Sequence, residues 1–429
     1  MSGKHILIKN AYIVDAAQRQ TAQGSILLRL RNGDTHGEII AADISGAVIK
    51  TPADCEVFDA RGSLALPSFT DMHCHLREPG EEEKETVNTG TAAAAAGGYG
   101  AVVSMPNTKP VTDTIERLSA VLATARAWGL CNVLPSAAIT MGQRGQILCD
   151  FEALHNAGAA AFTDDGMPVA DAGVMLEAMK RCAKFDGLII SHCEEPSLSS
   201  GGVMNESRTS RTLGVKGIPN AAEDVMIARD LILSELTGCR LHIAHVSTSG
   251  GIRMIREAKS RGVRVTAETC PHYFTFCDED VMFYGANAKM NPPLRSREDV
   301  KAVIEGIKDG TVDCISTDHA PHTEKQKSGH LSEAKNGITG LQTALAAAIT
   351  YLVMPGHIDI YRLVELLSIK PAQILGRDAE IKTGSRQGVT IVNPNREIVI
   401  SRSMLKSKSY NTPFMGLSLY GAVENTFVV

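Results

Sequence analysis

The chain has 429 residues, a formal net charge of −5, and 44% hydrophobic against 21% charged residues, a length for one large barrel with a satellite or for two domains. That mildly acidic balance offers no basic face for nucleic acid or an anionic membrane. The sequence carries no bilayer-long apolar run, and Met1 to Asn10 has no leader-like apolar core, so neither a span nor a signal peptide is expected. Ten cysteines are scattered without a CxxC pair. They read as buried free thiols of a reducing, cytoplasmic compartment.

Residues 4–66 hold short β-like runs at 5–8, 12–14, 25–30, 38–41 and 57–59. Asn10, the Gln-rich segment 18–23 and Asn32-Gly33-Asp34 punctuate them, which predicts a small β domain. From residue 64 short apolar runs alternate with helical patterns. Strands are predicted at 64–75, 101–105, 132–137, 159–163, 188–191, 241–246, 263–267 and 313–316. Helices are predicted at 81–96, 113–128, 171–184, 221–236, 250–260 and 296–308, with helical patterns again at 341–352 and 361–367. The helix at 81–96 would carry acids in its first turn and end on Gly97-Gly98. Eight strand–helix units with Val/Ile-rich strands imply an α/β protein of the (β/α)8 barrel type. The tail is β-rich again at 389–392, 397–400 and 422–428. The expected division is therefore 1–63 and 379–429 as two parts of one β domain, with 64–378 as the barrel.

The stretch Asp71-Met72-His73-Cys74-His75-Leu76-Arg77-Glu78-Pro79-Gly80 ends the first barrel strand. Side chains alternate along a strand, so Asp71, His73, His75 and Arg77 would share one face until Pro79 and Gly80 stop it. Two imidazoles and a guanidinium then converge, an arrangement for a metal and an anion. Cys74 and Cys193 sit beside candidate histidines but would face away and pack.

Barrel enzymes keep their chemistry at the C-terminal ends of strands, and the polar residues here fall there. Asn107 follows the second strand, Asp164 and Asp165 the fourth, and His192 the fifth. His245 ends the sixth strand and Asp318 the eighth. Asp164 alone reads equally as a helix N-cap, and spacing leaves the choice between it and Asp165 open. His242 and His272 read as hydrogen-bonded core residues, His319 as a packing or orienting group, and Asn107 and Asn291 equally as turn formers. Nitrogen and carboxylate ligands without thiolates suit catalytic zinc with a position left for water.

In sequence order, DMHCHLREPG at 71–80, MPNT at 105–108, FTDDG at 162–166, SHCEE at 191–195 and HVST at 245–248 form one pattern. KMNPPLR at 289–295, STDHAPH at 316–322, NGITG at 336–340 and NTPF at 411–414 complete it. Together they resemble the amidohydrolase superfamily and, within it, the type I dihydroorotases of bacterial pyrimidine synthesis. The resemblance covers essentially the whole chain. It implies a zinc site, with two ions per subunit, built from His73, His75, Asp165, His192, His245 and Asp318. It implies substrate binding by His75, Arg77, Asn107, Asn291 and His322, with main-chain help at Asn336 and Gly337. Many superfamily members bridge two metals with a carboxylated lysine; this chain has Ala161-Phe162-Thr163-Asp164-Asp165 there, and the type I dihydroorotases similarly use an aspartate. The pair Ala-Asp common before the family's late strand is replaced by Gly388-Val389-Thr390.

The resemblance implies zinc-dependent interconversion of N-carbamoyl-L-aspartate and L-dihydroorotate, with Asp318 moving the proton. The alternatives are a dihydropyrimidinase, hydantoinase or allantoinase, or a non-catalytic homologue. The absent lysine and the Arg77/Asn107 pair argue against the former, and the complete ligand set against the latter. A homodimer and an association with aspartate carbamoyltransferase are expectations of the same kind. The polar segment 323–335 has both ends at the expected site and is expected to close over substrate.

Overall fold

The computed structural model describes residues 4–30 and 37–429, so the Asn32-Gly33-Asp34 break lies outside the described residues. The runs at 5–8 and 12–14 form one strand, His5–Asp15, antiparallel to Gln20–Arg29. Their register slips between Ile8 and Ala11, where Asn10 takes a φ of 56°. A bulge absorbs the extra residue, and asparagine tolerates the left-handed conformation. The Gln-rich segment punctuates less than expected, because Gln20 and Gln23 already belong to the second strand.

These strands enter a sheet ordered Ser418–Phe427, Val389–Val399, Leu64–Pro67, His5–Asp15, Gln20–Arg29, Glu38–Asp43, with Glu56–Asp59 paired to His5–Asp15. Both ends of the chain thus contribute to it. Ile8, Ile26, Leu28, Ile39, Ile391 and Phe427 form its own apolar cluster.

The strand expected at 64–75 divides at Ser68. Ser68 N donates to Gly388 O and Phe69 N to Gly98 O, so the chain leaves one sheet and enters another there. Phe69–Cys74 pairs in parallel with Tyr99–Ser104, which pairs with Asn132–Pro135. A second parallel set runs Leu188–Ser191, Arg240–Ile243, Val265–Thr269, Cys314–Ile315. The strand expected at 159–163 is reduced to Phe162, which bridges Ala137 on one side and Ile189 on the other. His319 bridges Cys74 and Ile338. Met72, Val103, Ala161, Ile190, Ala244 and Cys314, from successive parallel segments, pack into one apolar cluster.

The first helix is shorter than expected, Val87–Ala96, and its first turn has no acid. Thr86 caps it in a reciprocal box with Thr89, and Gly97 closes it as expected. The acids upstream are used elsewhere: Glu81 pairs with Lys84 (2.7 Å) and Lys109 (2.6 Å), and Glu85 turns into the core toward His319 and Ser407. Ile115–Trp128, Ala172–Ala183, Ala221–Thr237, Ser249–Ser260 and Arg297–Asp309 match the predicted helices to within a few residues. The last two predicted helices break into α turns followed by π turns, at Ile349–Val353 and Glu365–Ile369. Among the described residues no helix is long and apolar enough to cross a membrane. No disulfide links the described residues, and nine of the ten cysteines are buried.

Candidate active site

The first parallel strand ends at Cys74, not at Pro79. His75 N donates to His319 O, and Arg77 takes a φ of 62°, so His75 and Arg77 reach the site from a turn rather than by strand alternation. Asp71, which was expected on the same face, is a structural group. Its carboxylate accepts from the backbone N–H (2.9 Å) and hydroxyl (2.6 Å) of Thr317. That ties the first strand to the loop carrying Asp318.

Asp165 stands at the centre. Its Oδ1 lies 3.2 Å from His73 Nε2, 3.4 Å from His192 Nδ1 and 3.8 Å from His245 Nε2, while Oδ2 lies 3.4 Å from His75 Nε2. Asp318 Oδ1 lies 3.2 Å from His75 Nε2 and 3.7 Å from His73 Nε2. All six residues are buried. His245 and Asp318 hold φ values of 39° and 44°. Such strained non-glycine residues at strand ends persist only where the surroundings fix them.

Burial disfavours charge throughout this cluster. It prevails at His75, which with Arg77 nearby is held below the ordinary imidazole value, while at His73 and Asp165 the opposite charges outweigh it. Asp165, Glu268 and Asp318 push His73 well above the ordinary imidazole range, and His73, His192 and His245 hold Asp165 well below the carboxylate range. Among the described residues neither Asp165 nor Asp318 has a lysine or arginine within ion-pair distance. The carboxylates face imidazole nitrogens and, at Asp165 Oδ2, the Asn107 amide. His73 Nε2 is buried without a hydrogen-bond partner despite the nearby Asp165 oxygen, and His192 Nδ1 and His245 Nε2 approach to 2.9 Å. Nitrogens and carboxylate oxygens converging in this way fit a divalent cation. Two groups of ligand atoms, His73/His75/Asp165 and Asp165/His192/His245, share Asp165.

The neighbouring Asp164 points elsewhere. It accepts from Ile139 N (2.8 Å), Thr140 N (3.1 Å) and the Thr140 hydroxyl, so it anchors a loop. Asn107 Oδ1 lies 3.0 Å from His75 Nδ1, and its amide nitrogen lies 3.3 Å from Asp165 Oδ2. Asn291 donates to Glu194 Oε2 at 2.7 Å, beside His192. His322 Nε2 donates to Asn336 O (2.7 Å), and Nδ1 is buried without a partner. Burial, with Arg77 nearby, lowers its pKa to about 3, so His322 is a neutral imidazole. Gly337 has a φ of 122°, and a Cβ there would lie 2.5 Å from the Ala320 Cβ, so only glycine fits. Arg77 is 9% exposed. Among the described residues its guanidinium makes one hydrogen bond, Nε to Pro321 O at 3.3 Å, and no ion pair. Glu81, then Asp318 and Asp165, attract it from beyond ion-pair distance, and a buried cation with so few direct partners can take an anion.

Two carboxylates were not foreseen. Glu268 is fully buried and reaches His73 Nδ1 (3.1 Å), His242 Nε2 (3.2 Å) and the Ser316 hydroxyl. It fixes the His73 ring from behind, the usual arrangement for a metal-binding imidazole. The signal was an acid directly after the predicted strand 263–267. Glu194 holds His192 Nε2 at 3.0 Å and was visible only as the second residue after that histidine. His242 is buried and hydrogen-bonded to Thr266 and Glu268, as expected, and His319 is held between Glu85 and Gly340 N; His272 is buried, but its Nε2 has no hydrogen-bond partner.

A family model described as dihydro-orotase-like matches residues 62–250. The dihydroorotase of Syntrophus aciditrophicus is 46% identical over 424 residues, covering 99% of this chain and 97% of its own. The chain belongs to the dihydroorotase family. The dihydroorotase of Bacillus caldolyticus is likewise 46% identical, over 92% of this chain and 93% of its own. Among solved structures, the L-hydantoinase (dihydropyrimidinase) of Arthrobacter aurescens superimposes with a TM-score of 0.87 at 24% identity, over 100% of this chain and 95% of its own. The dihydropyrimidinase of Brevibacillus agri NCHU1002 gives 0.82 at 22% identity, over 99% of this chain and 94% of its own. The dihydroorotase-family chain therefore shares the fold of these cyclic-amide hydrolases.

Proposed function

We propose that this protein is a zinc-dependent dihydroorotase that interconverts N-carbamoyl-L-aspartate and L-dihydroorotate. The observation that carries the proposal is the Asp165 carboxylate shared among four imidazoles beside a buried, unpaired Arg77. His73, His75, Asp165, His192, His245 and Asp318 would hold the metal. The two ligand groups sharing Asp165 support a count of two ions, and the all-nitrogen-and-oxygen donor set supports zinc. Bound zinc supplies polarisation of the ring carbonyl and an acidified water.

The chain's own residues supply the rest. Burial pushes the Asp318 pKa up, but His75 and His73 outweigh this and hold it at about 2, so it is an ionised acceptor at neutral pH. Asp318 takes the proton of the attacking water and delivers it to the leaving ring nitrogen. In the cyclising direction it takes the ureido nitrogen's proton as that nitrogen bonds the carboxylate carbon. It passes that proton to the departing oxygen, which leaves as water with a second proton from solvent. Arg77 binds the substrate carboxylate through its planar guanidinium. Asn107 aligns His75 and Asp165, and Asn291 aligns Glu194 and His192. His322 is neutral with Nε2 engaged by Asn336, so it shapes the carboxylate pocket without adding charge. The main chain at Asn336 and Gly337 lines the same side.

The parallel segments are proposed to close into the (β/α)8 barrel. The bridges Ala137–Phe162–Ile189 and Cys74–His319 support this by linking the two parallel sets at both edges. The sheet drawn from both chain ends is proposed as the companion β domain, divided from the barrel at Ser68.

Turnover of purified, zinc-loaded protein on dihydroorotate, dihydrouracil, hydantoin and allantoin tests the reading. Dihydroorotate alone should be processed efficiently. A preference for a ring without a carboxylate would move the assignment to the dihydropyrimidinase or hydantoinase class.

A further inference from the structure

The segment that follows His322 is tethered from within by two buried lysines. Lys327 opens it at the end of the short helical turn Glu324–Lys327, where Thr323 caps Gln326. The Lys327 side chain turns inward, and the residue is 8% exposed. Its ammonium donates to Lys289 O (3.0 Å), Lys335 O (2.9 Å) and Gly337 O (2.9 Å). An ammonium has three donors, and all three are used. Lys289 is also buried, and its ammonium donates to Leu331 O and Ala334 O, each at 2.7 Å. Among the described residues neither ammonium has a carboxylate within ion-pair distance. Burial, with the Lys289 ammonium nearby, lowers the Lys327 pKa to about 7. A buried amine without a counter-ion is costly, and an apolar side chain of this length would fill the same space at less cost. What the lysine adds is registry.

The three carbonyls that Lys327 gathers belong to the substrate side of the site. Lys289 lies two residues before Asn291. Lys335 and Gly337 flank Asn336, whose carbonyl accepts from His322 Nε2. Gly337 N donates to Lys289 O at 3.0 Å, which joins the same strands of chain directly. Gly337 O also accepts from Asn411 Nδ2 (3.0 Å), and Asn411 Oδ1 accepts from His322 N (3.1 Å). One ammonium therefore sets the relative positions of Asn291, His322, Asn336 and Gly337 while touching none of the candidate metal ligands.

We infer that Lys327 is a positioning residue for the substrate pocket, acting through the main chain at 289 and 335–337 to fix the surface against which the substrate carboxylate is held. This rests on the proposed substrate site. The test is Lys327→Met, which keeps the length and removes the donors. KM for dihydroorotate should rise about tenfold or more, because small displacements of binding groups are amplified in affinity. The kcat value and the zinc content should stay within about twofold, since no ligand or proton carrier moves. Amide hydrogen exchange at 335–337 should accelerate while exchange in the 69–74 strand is unchanged. Lys327→Gln, which restores one donor, should fall between wild type and Lys327→Met, and serves alone where the methionine variant does not fold. Unchanged KM in the folded variant, or equal losses in kcat and KM with zinc lost, would overturn the inference. If wild type proves to act on another cyclic amide, the same KM measurement on that ring and the exchange at 335–337 still decide the role of Lys327.

Discussion

Replacing Arg77 with Met probes the choice of substrate at a single side chain. The guanidinium is 9% exposed and has no ion-pair partner among the described residues, so the substrate carboxylate would be its counter-ion. Removing one partner of a buried ion pair costs roughly 3–5 kcal/mol, because the other charge stays buried and unpaired. At about 1.4 kcal/mol per decade this corresponds to roughly two to four orders of magnitude in kcat/KM. Wild type should prefer dihydroorotate over dihydrouracil by about that factor, since the two rings differ by one carboxylate. Arg77→Met should lose most of the preference by losing activity on dihydroorotate, with zinc content unchanged because Arg77 is not among the candidate ligands. The assay is kcat/KM on both rings for both proteins, with metal analysis of each. Comparable wild-type activity on the two rings, or an Arg77→Met variant that retains its preference, would refute the reasoning.

Asp318→Asn should lower kcat by about 10²–10⁴-fold, the usual contribution of a general acid–base group; a loss of tenfold or less would give the proton to another residue. Asp165→Ala should release metal and abolish turnover, while Asp164→Ala should loosen the loop at Ile139 and Thr140 but keep metal, as read by metal analysis and melting temperature. Because an aspartate carboxylate needs no carbon dioxide to form, added bicarbonate should leave activity unchanged, in contrast to a lysine-carbamate site. Burial raises the Glu81 pKa, but hydrogen bonds from Lys109 and Lys84 outweigh it and hold the group at about 2, below its unfolded value. Its stabilising contribution is therefore full above a pH of about 4.5 and is lost as pH falls toward about 2. In metal-free protein, the gap in melting temperature between wild type and Glu81→Gln should shrink between pH 5 and pH 3.

The candidate ligands were legible in the sequence because strand ends can be counted. Each follows a short apolar run, and His73, His192, His245 and Asp318 are carried to one point as their positions imply. What the sequence hid is where local pattern and tertiary demand part. The run at 64–75 is continuous in hydrophobicity, so nothing marks the change of sheet at Ser68. The acids of 81–85 look like a helix start, yet they are drawn off by Lys84 within the stretch and by Lys109 and His319 from other segments. Asp71 has the right spacing for the site but is captured by Thr317, more than two hundred residues away. Glu268 and Lys327 act by reaching behind the site, and such roles depend on contacts across the fold rather than on any local motif. The choice of Asp165 over Asp164, which spacing left open, follows from the turn after Phe162 that aims one carboxylate at the imidazoles and the other at Thr140.

The central claim is that Asp165 is shared by two metal ions held between the histidines. Anomalous diffraction at the zinc edge from zinc-loaded crystals tests it directly. The account predicts two peaks, one near His73, His75 and Asp165 and one near Asp165, His192 and His245. A peak at the buried His242, Glu268 and Cys314 group instead, or no peak touching Asp165, would contradict it.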